Sequence, residues 1–239
     1  MSTNTHSIDL EADSSQYLTV ADSVSLSITG DMSVEAWIKL ESNPADGDGY
    51  EVVSKHNTTG DQRSYDMIIR NNGGSLRCEV LLSSDGTSTN QVQHNSDTMT
   101  LNNGTWYHIA FTVNFTSNEF KFYLDGSQHG TTQTESTINA IFNSTATVEI
   151  GRHAQFSSHF DGLIDEVRIW SDERTSTEIS DSKSIELVGN EANLAAYWKL
   201  NNDLEDATAN NNDLTNPASA SFSTDVPFTG ATSGSFLLF

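Results

Sequence analysis

Two acids side by side in an apolar run, Asp165 and Glu166, are the residues whose placement most needs a chemical explanation. They stand in Leu163-Ile164-Asp165-Glu166-Val167-Arg168-Ile169-Trp170. Strict alternation sets Leu163, Asp165, Val167 and Ile169 on one face, and Ile164, Glu166, Arg168 and Trp170 on the other. Both faces carry large apolar groups, so the run reads as a strand inside a two-layer fold. An acid in such a strand needs a partner, because an unpaired buried charge is costly. A metal ion or a buried Arg would serve. Asp161-Gly162, just ahead, reads as a turn dipeptide.

Calcium is the ion that suits this composition, since it takes six to eight oxygens from carboxylates, amides, carbonyls and water. An acidic loop with Asp46, Asp48 and Glu51 is one place for it, although such loops also serve as solvated turns. No EF-hand spacing occurs. The seven His (6, 56, 94, 108, 129, 153 and 159) are scattered without an HExxH, so zinc is not expected. His153 and His159 flank Phe156 ahead of the acidic strand, where a loop suits recognition. His108 lies in an alternating strand and is expected to be packed and hydrogen-bonded.

Glycoside hydrolysis by two carboxylates about 5 to 5.5 Å apart would call for a pattern such as E-x-D-x-x-E. Glu11-Ala12-Asp13-Ser14-Ser15-Gln16 comes near it but has Gln in place of the second acid. G-x-S-x-G and Gly-rich phosphate loops are absent too. The chain is therefore not read as an enzyme. Flat rings flanked by polar side chains offer sugars another hold. Tyr50, Tyr65, Phe156 and Trp170 fall in or beside expected loops or strand ends, and Tyr50 and Phe156 serve equally well as core residues.

The charge balance narrows the partners. With 33 acids against 11 bases the net charge is -22, which argues against nucleic acid and against insertion into or adhesion to an anionic membrane. A divalent cation, a neutral glycan or a surface protein fits better, and solubility alone also favours acids. Cys78 is the single Cys, so no disulfide framework exists and it reads as a small core residue. No run approaches the roughly 20 apolar residues of a membrane span, and Met1 to Leu10 has no basic or apolar leader. An extracellular or virion-surface setting is expected without a classical signal peptide.

These residues must be positioned by strands. Met32, Val34, Ala36, Ile38 and Leu40 alternate with Ser33, Glu35, Trp37 and Lys39, and Leu76, Cys78, Val80 and Leu82 alternate likewise, as half-buried strands. Tyr107, Ile109, Phe111 and Val113 share a face, and Phe120, Phe122 and Leu124 lead into Asp125-Gly126, a two-residue hairpin turn. Residues 176–182 read as a short helix capped by Thr175, with Glu178 completing a capping box. Residues 194–200 then read as a strand. The expected fold is all-β: a two-sheet antiparallel sandwich with one short helix.

Phe160 to Glu178, FDGLIDEVRIWSDERTSTE, resembles the closing strand and helix of a laminin-G-like jelly roll of the concanavalin A-like superfamily. SIDLEADSSQYLTV, MSVEAWIKL, NGTWYHIAFTVN and FYLDGSQHG resemble the family's earlier strands in order, over about residues 7 to 182. The resemblance implies a jelly-roll domain over 1–182. An extension over 183–239 carries a returning strand near 194–200 along the sandwich edge and a polar tail. It implies core roles for Trp37, Trp106 and Trp198. It also implies a structural Ca2+ held by Glu11, the Ala12 carbonyl and Asp165, with Glu11 and Ala12 standing where the family usually has Asp and Gly. Against that ion stands a reading in which Asp165 pairs with Arg168 or accepts backbone N–H bonds. The function implied is a non-catalytic binding or adhesion module whose loops, with Tyr50, Asp46, Asp48, His153, Phe156 and His159, meet a glycan or a protein. The alternative is a structural subunit, such as a virion decoration, fibre or tail-associated protein, docked through Phe236, Leu237, Leu238 and Phe239.

Overall fold

The computed structural model describes residues 3–154 and 158–229. The strands in chain order are β1 (Ser7–Leu10), β2 (Leu18–Val20), β3 (Met32–Leu40), β4 (Gly49–Asn57), β5 (Gln62–Asn72), β6 (Ser75–Ser83), β7 (Gln91–Asn95), β8 (Trp106–Asn114) and β9 (Glu119–Leu124). They continue with β10 (Ser127–Gln128), β11 (Gln133–Thr134), β12 (Val148–Ile150), β13 (Gly162–Trp170), β14 (Leu194–Trp198) and β15 (Ser221–Ser223), with one helix, α1 (Ser176–Ser182). Among the described residues they form two antiparallel sheets. A nine-stranded sheet runs β10-β9-β8-β3-β13-β1-β15, with β11 on β9 and β14 on β13, and a six-stranded sheet runs β2-β12-β4-β5-β6-β7. This is the jelly-roll sandwich with its short helix.

Alternation fills the space between the sheets. Val34, Ala36 and Ile38 of β3 and Ile109, Phe111 and Val113 of β8 pack in one cluster with Met67 and Ile69 of β5, and with Cys78, Val80 and Leu82 of β6. Each Val, Leu, Ile, Phe or Met side chain among them contributes about 1.5–3 kcal/mol by leaving water. Asp125-Gly126 makes the expected two-residue turn, since Leu124 pairs with Ser127 and both turn residues have positive φ. Thr175 and Glu178 make the expected capping box on α1.

Four expectations change. The first concerns β13. Its pairing with β3 slips between Asp165↔Trp37 and Arg168↔Glu35, and Glu166 takes φ 52. This bulge sets two residues against one and reverses the alternation behind it. Ile164, Val167 and Ile169 therefore share the core face, while the acids and Arg168 lie on the outer face.

Second, β3 is covered on both sides, with Ser33, Glu35 and Trp37 all buried. The segment after α1 lies over the outer face: Trp37 Nε1 donates to Lys183 O at 2.6 Å, and Arg168 donates to Ser182 O and Ile185 O.

Third, Asp161-Gly162 is not a turn. Gly162 is the first residue of β13, paired to Leu10 on one side and Leu40 on the other. Its φ is 132, and a Cβ there would stand 2.1 Å from Lys39 O. Close strand approach requires the glycine.

Fourth, two aromatic placements differ. Tyr65 lies within β5 with its ring in the core and its hydroxyl donating to Leu26 O at 3.2 Å. Trp106 is only half buried and donates from Nε1 to Asp225 Oδ1 at 2.8 Å.

Residues after 182 join the same sandwich. β14 pairs with the second half of β13, on the side where β1 pairs with the first half, and no other named strand pairs with it. β15 pairs with β1. Phe236 to Phe239, and Phe156 earlier, lie outside the described residues. No described helix is long and apolar enough to cross a membrane.

Candidate functional site

The outer face of the six-stranded sheet is where polar side chains converge. Along β5, Tyr65, Met67 and Ile69 point into the core, so Ser64, Asp66, Ile68 and Arg70 point away from it. Two bulges in the β4–β5 pairing adjust what β4 presents. Between Glu51↔Ile68 and Val53↔Met67 the extra residue is Val52, which lets Val52 and Val53 both enter the core and leaves Glu51 on the outer face. Between Lys55↔Tyr65 and His56↔Arg63 the extra residue is Ser64, which brings Arg63 onto that face beside His56.

Residues of these strands line two cavities. One, of about 540 Å³, is lined by Ala12, Ala45, Asp48, Gly49, Tyr50, Arg70, Ser158 and His159. Four of the residues expected at a site, Ala12, Asp48, Tyr50 and His159, thus meet around one space. Tyr50 is half buried against Phe160, and its hydroxyl lies 2.8 Å from Ser42 Oγ. Burial raises its pKa. Asp46 is elsewhere, accepting from Gly73 N in the β5–β6 turn.

The other cavity, of about 270 Å³, is lined by Glu51, His56, Thr58, Arg63, Asp66, Ile68, Leu81, Gln91 and His153. Asp66 is fully buried, with Oδ2 2.8 Å from His56 Nδ1 and 3.7 Å from His153 Nε2. Burial pushes Glu51 well above the usual carboxylate range, with the Asp66 charge adding to the effect. Burial also lowers the His153 pKa, against the opposing pull of Asp66. His153 therefore belongs to this second cavity, apart from His159. Glu51 is separated in the same way from the exposed Asp46 and Asp48.

A third group lies where the ends of β1, β3 and β13 meet. Carboxylate oxygens of Asp9, Glu11 and Glu41 lie within 4.8 Å of one another. Burial and then Asp161 raise Asp9, and burial and then Asp9, Glu11 and Asp161 raise Glu41. Asp161 accepts from Ser42 Oγ, which links this group to Tyr50. Asp9 Oδ1 is buried and accepts no hydrogen bond from the described residues. An all-oxygen donor set of this kind fits a hard cation such as calcium.

Asp165 is not part of that group. β1 pairs Ile8 with Ile164 and Leu10 with Gly162, so Glu11 lies four residues along from Asp165, about 13 Å at the rise of a strand. The trio Glu11, Ala12 and Asp165 cannot share one ion. Asp165 instead accepts from Asn4 Nδ2 at 2.8 Å and from Glu166 N at 2.9 Å. Beside it Arg168 binds Glu166 at 2.6 Å and Glu35 at 3.4 Å, and Tyr197 donates to Glu166. His108 lies 3.2 Å from Glu35, packed and paired as expected. The acidic strand that drew attention first builds a buried polar network under α1.

Asp66 and His56 were not legible as site residues. They join His153 from positions far apart in sequence, and the available signal was an acid inside the apolar run Tyr65-Asp66-Met67-Ile68-Ile69.

Comparisons with known proteins agree with this architecture. A protein from Bacteroides ovatus described as a candidate carbohydrate-binding protein superposes with a TM-score of 0.72 at 21% identity, covering 95% of this chain and 62% of its own. The carbohydrate-binding module CBM40 of the Ruminococcus gnavus IT-sialidase, solved with α2,3-sialyllactose, gives 0.55 at 12% identity, covering 73% and 95%. A pentraxin from Limulus polyphemus gives 0.55 at 15%, covering 74% and 81%. The chain thus spans about three fifths of the Bacteroides protein. No curated protein matches the sequence. A laminin-G-like family, described as the concanavalin A-like lectin/glucanases superfamily, matches residues 12–180. On the strength of that match and of the two-sheet jelly roll, this chain belongs to the concanavalin A-like lectin/glucanase superfamily.

Proposed function

We propose that the chain is a non-catalytic glycan-binding module that takes its ligand in the cavities lined by β4 and β5. The observation that carries this reading is the pair of cavities on these strands, with Tyr50 beside Arg70, Asp48 and His159 in the larger. Such a space offers a flat ring for C–H stacking and charged and polar groups for hydroxyls. Ligands named for similar folds support it: a carbohydrate for the Bacteroides protein and α2,3-sialyllactose for CBM40. An extracellular or virion-surface setting belongs to the same reading.

Calcium in this reading is held by Asp9, Glu11 and Glu41, at the edge of the Tyr50 cavity. It would tie β1, β3 and the start of β13 together as a structural ion.

Calorimetric titration with a glycan panel that includes α2,3-sialyllactose tests the proposal. Saturable binding is expected, and Tyr50→Ala and Arg70→Ala should each weaken it about tenfold, which is about 1.4 kcal/mol. Lack of saturable binding across the panel, or binding that both variants retain in full, would overturn it.

A further inference from the structure

The smaller cavity holds a donor set of another kind. One ligand atom from each of His56, Asp66 and His153 lies within 4.8 Å of the other two, and all three residues are buried. The two imidazole ring centroids lie 4.7 Å apart with their planes tilted by 55°. Ligand atoms around a tetrahedral ion with bonds of 2.0–2.1 Å stand about 3.3 Å apart. The separations of 2.8 and 3.7 Å to Asp66 bracket that value.

Charge points the same way. Three arginines on this face are committed, and a fourth, Arg77, lies beside Arg70 with no partner for its Nε among the described residues. Arg70 binds Glu79 through Nε and Nη2, Arg152 binds Glu149 through Nε and Nη2, and Arg63 binds Asp61 and Gly86 O. Two buried carboxylates of the cavity accept no hydrogen bond from any of these arginines, although the Arg70 charge acts on Glu51. Asp66 Oδ1 and Glu51 Oε2 accept no hydrogen bond among the described residues. Buried carboxylates are normally paired or bound to a metal.

We propose that His56, Asp66 and His153 bind a divalent transition-metal ion of the zinc class, with a coordination position open to the cavity that Glu51 lines. Two imidazoles and one carboxylate suit zinc, cobalt, iron or nickel, whereas calcium prefers an all-oxygen shell. Three protein ligands leave a position for water or for an oxygen of a bound ligand, which separates this site from a closed structural one. It is also distinct in ion and place from the Asp9, Glu11 and Glu41 group.

Cobalt(II) is the probe, because bound in such a site it absorbs in the visible. Chelator-stripped protein titrated with cobalt should develop d–d bands that saturate at one equivalent and are displaced by zinc. Asp66→Asn and His153→Gln should each weaken binding by about tenfold or more. Absence of saturable bands, or bands retained in both variants, would overturn the proposal and leave a His-Asp-His contact that holds no ion. Both variants alter buried residues, so their folding is checked by circular dichroism in chelator. Should neither fold, anomalous scattering from zinc-soaked wild-type crystals decides. A peak between His56, Asp66 and His153 supports the site, and a peak only at Asp9, Glu11 and Glu41, or none, overturns it.

Discussion

Asn4 Nδ2 donates to Asp165 Oδ2 at 2.8 Å across 161 residues of chain, and that bond ties the segment before β1 to the bulge in β13. The bulge is what brings Asp165 out of the core. Glu166 supplies its left-handed residue and also gives its N–H to Asp165 Oδ1. Asp165 thus has both oxygens engaged in hydrogen bonds.

Burial and then the Glu166 carboxylate hold the Asp165 pKa well above the usual range. The folded protein then keeps a proton that the unfolded chain releases. This group's effect on stability accordingly becomes less favourable as pH rises from about 4 through the folded value. Asp165→Asn removes that dependence and keeps the shape. Asn4 Oδ1 has no donor among the described residues, so a turn of the Asn4 amide can satisfy the new NH2. Asp165→Asn should cost under about 1 kcal/mol at pH 7, whereas Asp165→Ala, which leaves the Asn4 amide unpaired, should cost about 1–3 kcal/mol. Urea unfolding at pH 5 and pH 8 measures both, and equal losses in the two variants would refute the assignment.

Glu35 has the opposite linkage. Burial alone would raise its pKa, but the hydrogen bond from His108, the charge of Arg168 and the Trp170 N–H bring it down from 4.5 to about 2. A depressed folded pKa stabilises fully above the unfolded value and loses that contribution as pH falls from 4.5 towards 2. At 1.36 kcal/mol per unit the difference is roughly 3 kcal/mol. Glu35→Gln should lower stability at pH 7 by roughly that amount, and the gap to wild type should close near pH 2. Unfolding by urea across pH 2 to 7 checks it, and a gap that stays constant over the range would contradict the linkage.

The legible part of the fold was whatever repeats with period two. β3, β6 and β8 follow from alternation, and α1 follows from Thr175 and Glu178, because these signals are local. Nothing local marks a bulge when its left-handed residue is Glu166 and not Gly, so the faces of β13 came out reversed beyond it. The site was less legible for a similar reason. Ala12, Asp48, Tyr50 and His159 do meet around a cavity, but the partners of Asp66 come from β4 and from beyond β12. Glu11 was expected beside Ala12 and Asp165, whereas its acidic neighbours Asp9 and Glu41 are set by the β1–β13–β3 register, which one sequence does not print.

Calcium gives the third prediction. An ion held by Asp9, Glu11 and Glu41 binds only the folded chain and must stabilise it, by about 2.7 kcal/mol at one hundred times Kd. Calcium should raise the thermal midpoint of wild type, and excess chelator should reverse the rise. Glu11→Gln and Glu41→Gln should lose most of the effect, while Asp165→Asn keeps it. A rise lost in Asp165→Asn and kept in the other two would return the ion to β13, against the register that separates the two places.

Gly162 carries the last prediction, because it joins backbone geometry to that acidic group. Its positive φ and the 2.1 Å approach of a Cβ to Lys39 O mean that Ala cannot enter without parting β13 from β3. A steric conflict against backbone in the middle of a sheet falls in the large tail of mutational effects, above about 3 kcal/mol. Neighbouring Asp161 and Glu41 are fixed by the same crossing, where Glu41 N donates to Asp161 O at 3.1 Å. Gly162→Ala should therefore lower the thermal midpoint and also weaken any calcium-dependent rise, whereas Gly104→Ala, in open space at a turn, should pay only for its positive φ and leave the calcium response intact. Differential scanning calorimetry of the two variants with and without calcium separates the cases: similar losses in both would mean that backbone conformation alone, and not the strand crossing at Lys39, explains the glycine.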